Sequence, residues 1–321
     1  MSQVKGTQSS FALFEEDTFG SDPTTPDGQK MYCTSFGVQM TRSLQQSATL
    51  SGNRGMEKPV QGNIDVGGSI ASELSGQEMG TLLKHSLGTN ATTGAGPYVH
   101  TMTCGDLPTG LTLEKDHGSV ISGTGRYEKF NGCRVGSIGF EFPQEGFPTV
   151  SVDVVGANSV YAGSALDATV TDNGHTSFGS ADMAITEGGS TIAYVKSASI
   201  SLSNELDSSG YVIGSSARRA IPEGQSAITG SITALFESMD LLNKARNNTA
   251  SSLVITVSRG DGLGSSGNEQ IKFTVQQLDF ETSGSPIEGP AGVEITLPFT
   301  AYKSGSDLGL EIELKNAVAT I

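Results

Sequence analysis

The chain has 321 residues, 36% of them hydrophobic, which predicts roughly two domains with enough apolar side chains to give each a core. Its formal net charge of -15 is the reverse of the basic surface that phosphate binding needs, so a protein that grips nucleic acid is excluded. Forty-two glycines, only 17% charged residues and no tryptophan favour β structure with long turns over a helical bundle.

Residues 1–30 predict a polar N-terminal arm. They show no basic start followed by an apolar run, and no stretch of the chain approaches the roughly 18 apolar residues of a membrane span. We therefore expect assembly in a cytoplasm, with no membrane as partner. The three cysteines, Cys33, Cys104 and Cys133, are odd in number and fit a reducing compartment, which predicts inert, half-buried thiols.

The next segment predicts a strand, a long polar loop, a second strand and a helix. The strands are FGVQM and GNIDVGGSIASEL, and the loop runs from Thr41 to Gln61. Ser75 is a candidate helix N-cap with Glu78 three residues later, and Gly88 is placed to end the helix. Its predicted buried stripe is Met79, Leu82, Leu83 and Leu87.

The same order of elements recurs when the sequence is shifted by 162 residues, so that Phe36 meets Ala198. The second strand pair is ASISL and SAITGSITALFE, joined by a loop from Ser203 to Glu223. A shorter helix is predicted from Met239 to Ala245, with Ser238 as its cap and Leu241 and Leu242 facing inward. Glycines coincide at this offset: Gly52 with Gly214, Gly62 with Gly224, and Gly68 with Gly230. Matching glycines imply matching turns or close backbone approaches, so we interpret the chain as a duplicated domain.

Each half closes with further strands. These are CRVGSIGFEF and TVSVDVV in the first half, and IKFTVQQLDF and VEITLPFTAY in the second, with the short strand ADMAIT in the connection between the halves. The predicted boundaries are an arm at 1–30, a first domain at 31–160, a linker at 161–189 and a second domain at 190–321.

The order of these segments resembles the phage tail tube protein (major tail protein) of long noncontractile tails, in its two-domain version. The resemblance covers most of the chain, from FALFEEDTFGSDPTTPDG onward in the first half and VKSASISLSNELDSSGYVIG onward in the second. It implies a mainly β fold of two tandem tail-tube-type β-sandwich or barrel domains, each with a flanking α-helix. The Gly-rich segment from Asn90 to Arg126 departs from the family pattern.

The resemblance also implies a structural virion protein without enzymatic activity or cofactor. Rings of three chains, pseudo-hexameric because each chain carries two units, would stack into the conduit for DNA ejection. The implied partners are other copies of the chain, tail tip and tail terminator proteins, and a tape measure protein in the lumen, while DNA passes without specific binding. The implied location is the virion tail, assembled in the bacterial host cytoplasm.

Two sets of residues are candidates for these roles. Ring-to-ring contact is expected of the long loops and the N-terminal arm, because long loops are uncommon unless they are used. The loop candidates are Arg42, Asn53, Arg54, Glu57, Lys58, Asp207, Arg218, Arg219 and Glu223. An acidic lumen would repel DNA, and the candidates for its lining are Asp65, Glu73, Glu141, Asp153 and Glu294.

Several motifs have ordinary structural interpretations. Gly262, Gly264 and Gly267 form a GxGxxG that is followed by a strand pattern, so a hairpin loop is predicted rather than a phosphate site. The tripeptide from Arg259 to Asp261 predicts a tight turn. The four histidines lie far apart without metal-ligand spacing, and the acidic pairs Glu15 with Glu16 and Asp182 with Glu187 are interpreted as solvated.

Three alternatives remain open. A surface-exposed β adhesin or fibre module would share the acidic, Gly-, Ser- and Thr-rich composition. A head decoration or distal tail protein could share the fold without polymerising. A β-sandwich hydrolase with two acidic residues is the enzyme alternative.

Overall fold

The computed structural model describes residues 3–50, 52–191, 194–282, 284, 292–305 and 309–321. They form a mainly β protein in which almost all pairing is antiparallel. The elements of the first half are a 3-10 turn (Gly6–Gln8), β1 (Ser10–Glu15), β2 (Gln29–Met31), β3 (Ser35–Phe36), β4 (Gln39–Gln45), β5 (Val60–Glu73), α1 (Gly80–Leu87), β6 (Ala91–Thr93), β7 (Tyr98–Thr103), β8 (Leu111–Asp116), β9 (Tyr127–Phe142), β10 (Thr149–Gly156) and β11 (Asn158–Ala162).

The second half begins with another 3-10 turn (Ser180–Asp182). Its strands and helix are β12 (Met183–Glu187), β13 (Ser190–Thr191), β14 (Val195–Ser203), β15 (Ala227–Leu235), α2 (Asp240–Arg246), β16 (Ser251–Ser258), β17 (Gln270–Phe280), β18 (Glu294–Ala301) and β19 (Leu310–Asn316). Neither α-helix in the described part of the chain has the length and apolar character needed to cross a bilayer.

One large sheet runs through both halves in the order β4–β5–β10–β9–β14–β15–β18. The first half supplies β4, β5, β10 and β9, and the second half supplies the rest. The join is the pair β9–β14, where residues from Ala198 to Ser203 lie opposite residues from Phe142 to Ser137. The strand order of the first half recurs in the second, because β18 also pairs with the C-terminal end of β17.

The strand register is the same in both halves at the offset of the sequence repeat. Phe36 lies opposite Ile70, and Ala198 lies opposite Ile232. Likewise Met40 lies opposite Val66, as Leu202 lies opposite Ile228. The glycines match in conformation or surroundings too: Gly52 and Gly214 both have positive φ, at 75° and 90°.

A second layer of strands covers the inner side of the large sheet. Its order is β2–β1–β8–β9–β11 in the first half and β13–β12–β16–β17–β19 in the second. β9 and β17 run through both layers, and their Phe140 and Phe273 rings pack with centroids 4.7 Å apart. The buried side chains of both halves form one continuous core.

The corner at which β9 passes from one layer to the other depends on a glycine and a buried carboxylate. Gly132 has φ 65°, and its N–H donates to Oε1 of Glu16 at 2.7 Å. The N–H of Gly20 donates to Oε2 at 2.7 Å, and the hydroxyl of Thr112 donates to Oε1 at 2.8 Å. Burial raises the pKa of Glu16. The prediction that Glu16 and Glu187 are solvated is therefore wrong: Glu187 is also buried, against Lys244 and Ser251.

The segment expected to be an N-terminal arm is in part a strand of the second layer. β1 pairs with β8, and its Leu13 and Phe14 are buried. The expected linker likewise contributes strands, because β11 ends at Ala162 and β12, the predicted strand ADMAIT, pairs with β16. Both segments contain short apolar runs, FALF in β1 and MAI in β12, which pair with β8 and β16.

The Gly-rich departure from Asn90 to Arg126 contains β6, β7 and β8. β7 pairs with the C-terminal strand β19, with Thr103 opposite Glu311. This hairpin of β6 and β7 has no counterpart in the second half among the described residues. It joins the first half to the second at a place other than β9–β14.

The helices follow the prediction except at their starts. Ser238 is not the N-cap of α2, because that helix begins at Asp240 after Met239. The stripe Met79, Leu82, Leu83 and Leu87 is buried, Gly88 ends the helix with φ 107°, and Leu241 and Leu242 of α2 are buried as expected. Ser75 is not the N-cap, because the helix begins at Gly80 after Met79. The Ser75 hydroxyl instead donates to Gln77, and the Glu78 carboxylate binds His175.

The structure also shows the predicted turns and the burial of the three cysteines. Gly262, Gly264 and Gly267 lie in the hairpin turn between β16 and β17, and the N–H of Gly262 donates to the carbonyl of Arg259 at 3.0 Å. Both agree with the predicted turn. Cys104 and Cys133 are buried free thiols, Cys33 is partly buried, and burial raises the pKa of Cys33 to about 12.

The matched glycines Gly68 and Gly230 provide a test of the shared register. A Cβ at Gly68 would overlap the carbonyl oxygen of Gly37, and a Cβ at Gly230 would overlap that of Ser199, its counterpart at the repeat offset. We expect Gly68→Ala and Gly230→Ala each to lower the free energy of unfolding by about 1–3 kcal/mol. Urea unfolding followed by circular dichroism measures this.

The control is Gly6→Ala, because a Cβ at Gly6 meets nothing within 4 Å. Its midpoint should equal that of the wild type. If Gly68→Ala or Gly230→Ala also left the midpoint unchanged, the close approach of these strands would be wrong.

Candidate functional site

The side of the large sheet that faces away from the core, here called the open face, carries small polar side chains and carboxylates. On β9, β10 and β14 alternate residues point outward, while the residues between them, such as Val152 and Phe140, are buried. The outward positions on these three strands are Ser137, Gly139, Glu141, Thr149, Ser151, Asp153, Ser199, Ser201 and Ser203.

All five acidic residues predicted to line a lumen lie on this open face. Glu73 and Glu141 both lie opposite Thr149, and Asp153 lies four residues further along β10, on the same side. Asp65 is on the outward side of β5, and Glu294 begins the outward row of β18. The structure thus brings them onto one surface, and their place in a lumen stays a prediction.

The carboxylates of the open face have few basic partners. Lys196 binds Glu294 at 2.5 Å, and Arg218 binds Asp65 at 2.5 Å. The Asp153 carboxylate accepts a hydrogen bond from Ser137 at 2.8 Å, and Glu73 accepts one from Ser177. Serine and threonine hydroxyls pair with one another elsewhere, such as Ser199 with Ser231 at 3.0 Å. The open face is therefore hydrophilic and acidic.

One edge of the large sheet lacks a partner strand. β4 pairs with β5 on one side only in the described residues, whereas its counterpart β14 lies between β15 and β9. A strand edge of this kind exposes backbone N–H and C=O groups that another strand can pair with. The geometry therefore offers a docking edge rather than a reaction centre.

The loop between β14 and β15 folds over the first half of the chain. The N–H of Ile64 donates to the carbonyl of Ser216 at 2.8 Å, and the Tyr211 hydroxyl donates to the carbonyl of Ile64 at 2.7 Å. Arg218 is buried, and its guanidinium donates to the carbonyls of Ser208 and Gly156, both at 2.7 Å.

Two residues predicted for ring-to-ring contact are thus occupied within the chain. Besides Arg218, the Glu223 carboxylate binds Arg134 and accepts from the N–H of Leu107 at 3.1 Å. Although burial opposes it, these hydrogen bonds and the charge of Arg134 lower the pKa of Glu223. Asp207 and Arg219 remain exposed, and a hydrogen bond from the Ser209 hydroxyl lowers the pKa of Asp207.

The loop between β4 and β5 contacts little of the chain by comparison. Its predicted residues Asn53, Arg54, Glu57 and Lys58 are exposed, and Arg42 lies in β4, where its guanidinium donates to the carbonyl of Gly62. Large apolar side chains are exposed along this hairpin: Leu44 (64%), Leu50 (98%), Met56 (73%) and Val60 (69%). A run of exposed apolar side chains marks an interaction surface.

Sequence reasoning did not find the inter-half contacts of Tyr211 and Arg218. The sequence signal for these contacts is a tyrosine and an arginine, Tyr211 and Arg218, in a loop rich in Ser and Gly. Nothing in the sequence spacing predicts that the partner of Arg218 is Asp65. In the described part of the chain, no group of three His, Cys, Asp or Glu residues is placed to hold a metal ion.

The comparison with known protein families gives the identity of the chain. No curated protein sequence matched it. The family model described as phage tail tube protein matches residues 6–301, which include every strand of the large sheet. A mainly β fold with a free strand edge and a hydrophilic sheet face is in keeping with that match. The chain belongs to the phage tail tube protein family, and is thus a structural component of the virion tail.

Proposed function

We propose that this chain polymerises into the wall of a tail tube, in stacked rings of three copies, and that DNA passes over the open face during ejection. One observation carries the proposal: β9 of the first half pairs with β14 of the second, and β4, the counterpart of β14, has an unpaired edge. The contact that joins the halves within a chain can therefore be repeated between chains.

A repeated head-to-tail contact generates a closed ring when its rotation closes. Each half supplies four strands to the large sheet, β4, β5, β10 and β9 in the first and β14, β15, β18 and the end of β17 in the second. Three chains would thus make a barrel of about 24 strands. At about 4.8 Å between strands and the usual tilt, its backbone diameter is roughly 40–50 Å, which leaves room for duplex DNA.

The open face suits the wall of such a channel. Its carboxylates repel the phosphates of DNA, and its hydroxyl groups keep it wetted, so a passing duplex meets no strong binding site. The domain division into two tail-tube units is part of the proposal, with the repeats extending from β1 to β11 and from β12 to β19. We further propose the tail tip, the tail terminator and the tape measure protein as partners, and assembly in the host cytoplasm.

The experiment that tests ring formation is negative-stain electron microscopy of the purified chain over a range of concentrations. We expect hollow tubes or rings whose end views show pseudo-sixfold symmetry from three chains. A chain that stays monomeric at high concentration, with or without a tail tip complex, would contradict polymerisation and favour a decoration protein.

The channel role of the open face predicts a charge effect. We expect the double change Glu141→Lys and Asp153→Lys to leave tube formation intact but to slow DNA ejection from phage carrying it, because the lining would then attract phosphate. Ejection triggered in vitro and followed with a DNA-binding dye measures the rate. The effect should shrink as salt is added, since screening weakens charge attraction.

The matched control is Glu145→Lys, an exposed acid in the turn between β9 and β10 that lies outside the outward rows of the open face. It should eject at the wild-type rate. Equal rates for the double change and this control would mean that the open face does not line the path of DNA.

A further inference from the structure

The two long loops are equivalent in the repeat but differ in conformation. In the second half, residues 204–226 leave the sheet after β14 and fold across the first half. In the first half, β4 and β5 continue as a paired hairpin to Gln45 and Val60, with a bulge after Arg42. The sequence repeat equates Arg54 with Ser216 and Gln61 with Glu223. Equivalent segments of the two halves are thus folded in one half and extended in the other.

The surface under the folded loop has a counterpart in the second half, formed by β15 and β18. Ile64, whose N–H donates to Ser216 and whose carbonyl accepts from the Tyr211 hydroxyl, corresponds to Ser226 at the repeat offset. Its neighbour Asp65 corresponds to Ala227. Gly156, the acceptor for Arg218, ends β10 opposite Val66, and Ala301 ends β18 opposite Ile228 in the same way.

Between the two halves, the residue on the loop and the residues that it would cover change from charged to apolar together. Where the folded loop places Arg218 against Asp65, the extended loop carries Met56, and the matching positions on the far end are Ala227 and Ala301. An ion pair between the buried Arg218 and the exposed Asp65 is thus matched by a set of apolar residues. Met56 is 73% exposed in the single chain, so a partner would bury it.

A second pair carries the inference independently. Arg134, which binds Glu223, lies on β9 opposite Val155, and Asp279 lies at the equivalent place on β17 opposite Thr300. Oδ1 of Asp279 is buried and has no hydrogen-bond partner among the described residues. A buried acceptor without a donor is costly. Gln61, the counterpart of Glu223, carries amide N–H groups that can donate to it.

We infer that the hairpin of residues 42–62 folds over the β15–β17–β18 end of a second copy of this chain, and that its Gln61 donates to Asp279 there. Arg54 then lies beside Ser226 of that copy, and Met56 packs against Ala227 and Ala301. This inference rests on the proposed self-assembly and assigns the hairpin to a neighbour in the same ring, in place of the ring-to-ring contact expected from its length. The hairpin would bend at the bulge after Arg42. The counterpart of Arg42 in the second half is Asn204, which is followed by Glu205 with φ 45°.

Cross-linking tests which copy the hairpin meets. Residues joined by a backbone hydrogen bond between chains have Cα atoms close enough for a disulfide, so Arg54→Cys with Ser226→Cys should cross-link neighbouring copies upon oxidation of assembled tubes. In a ring of three, the ladder of covalent species on a denaturing gel should end at the trimer. The matched control is Ile64→Cys with Ser216→Cys, which should close within one chain and leave only monomer.

The outcomes separate the inference from the proposed function. If the wild type forms no rings, the proposed function fails. If the wild type forms tubes but the Arg54 and Ser226 variant gives no inter-chain link, or gives a ladder that continues past the ring size, the inference alone is overturned.

A charge exchange tests the second contact. Gln61→Glu would place a second carboxylate against Asp279, and we expect the concentration needed for assembly to rise by about tenfold. Adding Asp279→Arg recreates the pair seen between Glu223 and Arg134, so the double variant should assemble within about threefold of the wild type. Both variants should unfold as monomers at the wild-type denaturant midpoint. A double variant that assembles no better than Gln61→Glu would overturn the contact.

Discussion

Unpaired backbone groups at a strand edge are the constraint on which this structure depends. A sheet that ended at β9 would expose a row of N–H and C=O groups along residues 137–142, and β14 pairs with all of that row. The chain meets the same requirement again at β4, where no strand of its own is available in the described residues. Since such edges are either covered or used, the fold and the proposed assembly rest on one kind of bond.

Much of this architecture could be predicted from the sequence because a repeat fixes positions twice. The offset that matched Gly68 with Gly230 also matches the register of the strands around them, and the apolar alternation of both halves identified the buried face. All five predicted acids of the open face share that face, since the period of a strand is two. The burial of acids away from such strands was harder to predict. Glu16 was expected in solvent, but it is buried and accepts a hydrogen bond from the N–H of Gly132 at the corner of β9.

The contacts between the halves could not be predicted in this way. Arg218 and Asp65 lie far apart in sequence, and a loop of small polar residues gives no period from which a partner can be inferred. The start of α1 was misplaced for a local reason, because Ser75 satisfies its hydroxyl in a turn with Gln77 before the helix begins. Caps and loop docking depend on which groups are already satisfied, and a sequence pattern alone does not show this.

The pairing of β7 with β19 affects the shape of any assembly built from this chain. The two halves meet at β9–β14 on the large sheet and again at β7–β19 in the covering layer. Two separate seams in different layers prevent the halves from hinging about either one. The bend from one half to the next is therefore set when a single chain folds, so any wall built from this chain would inherit its curvature from the monomer.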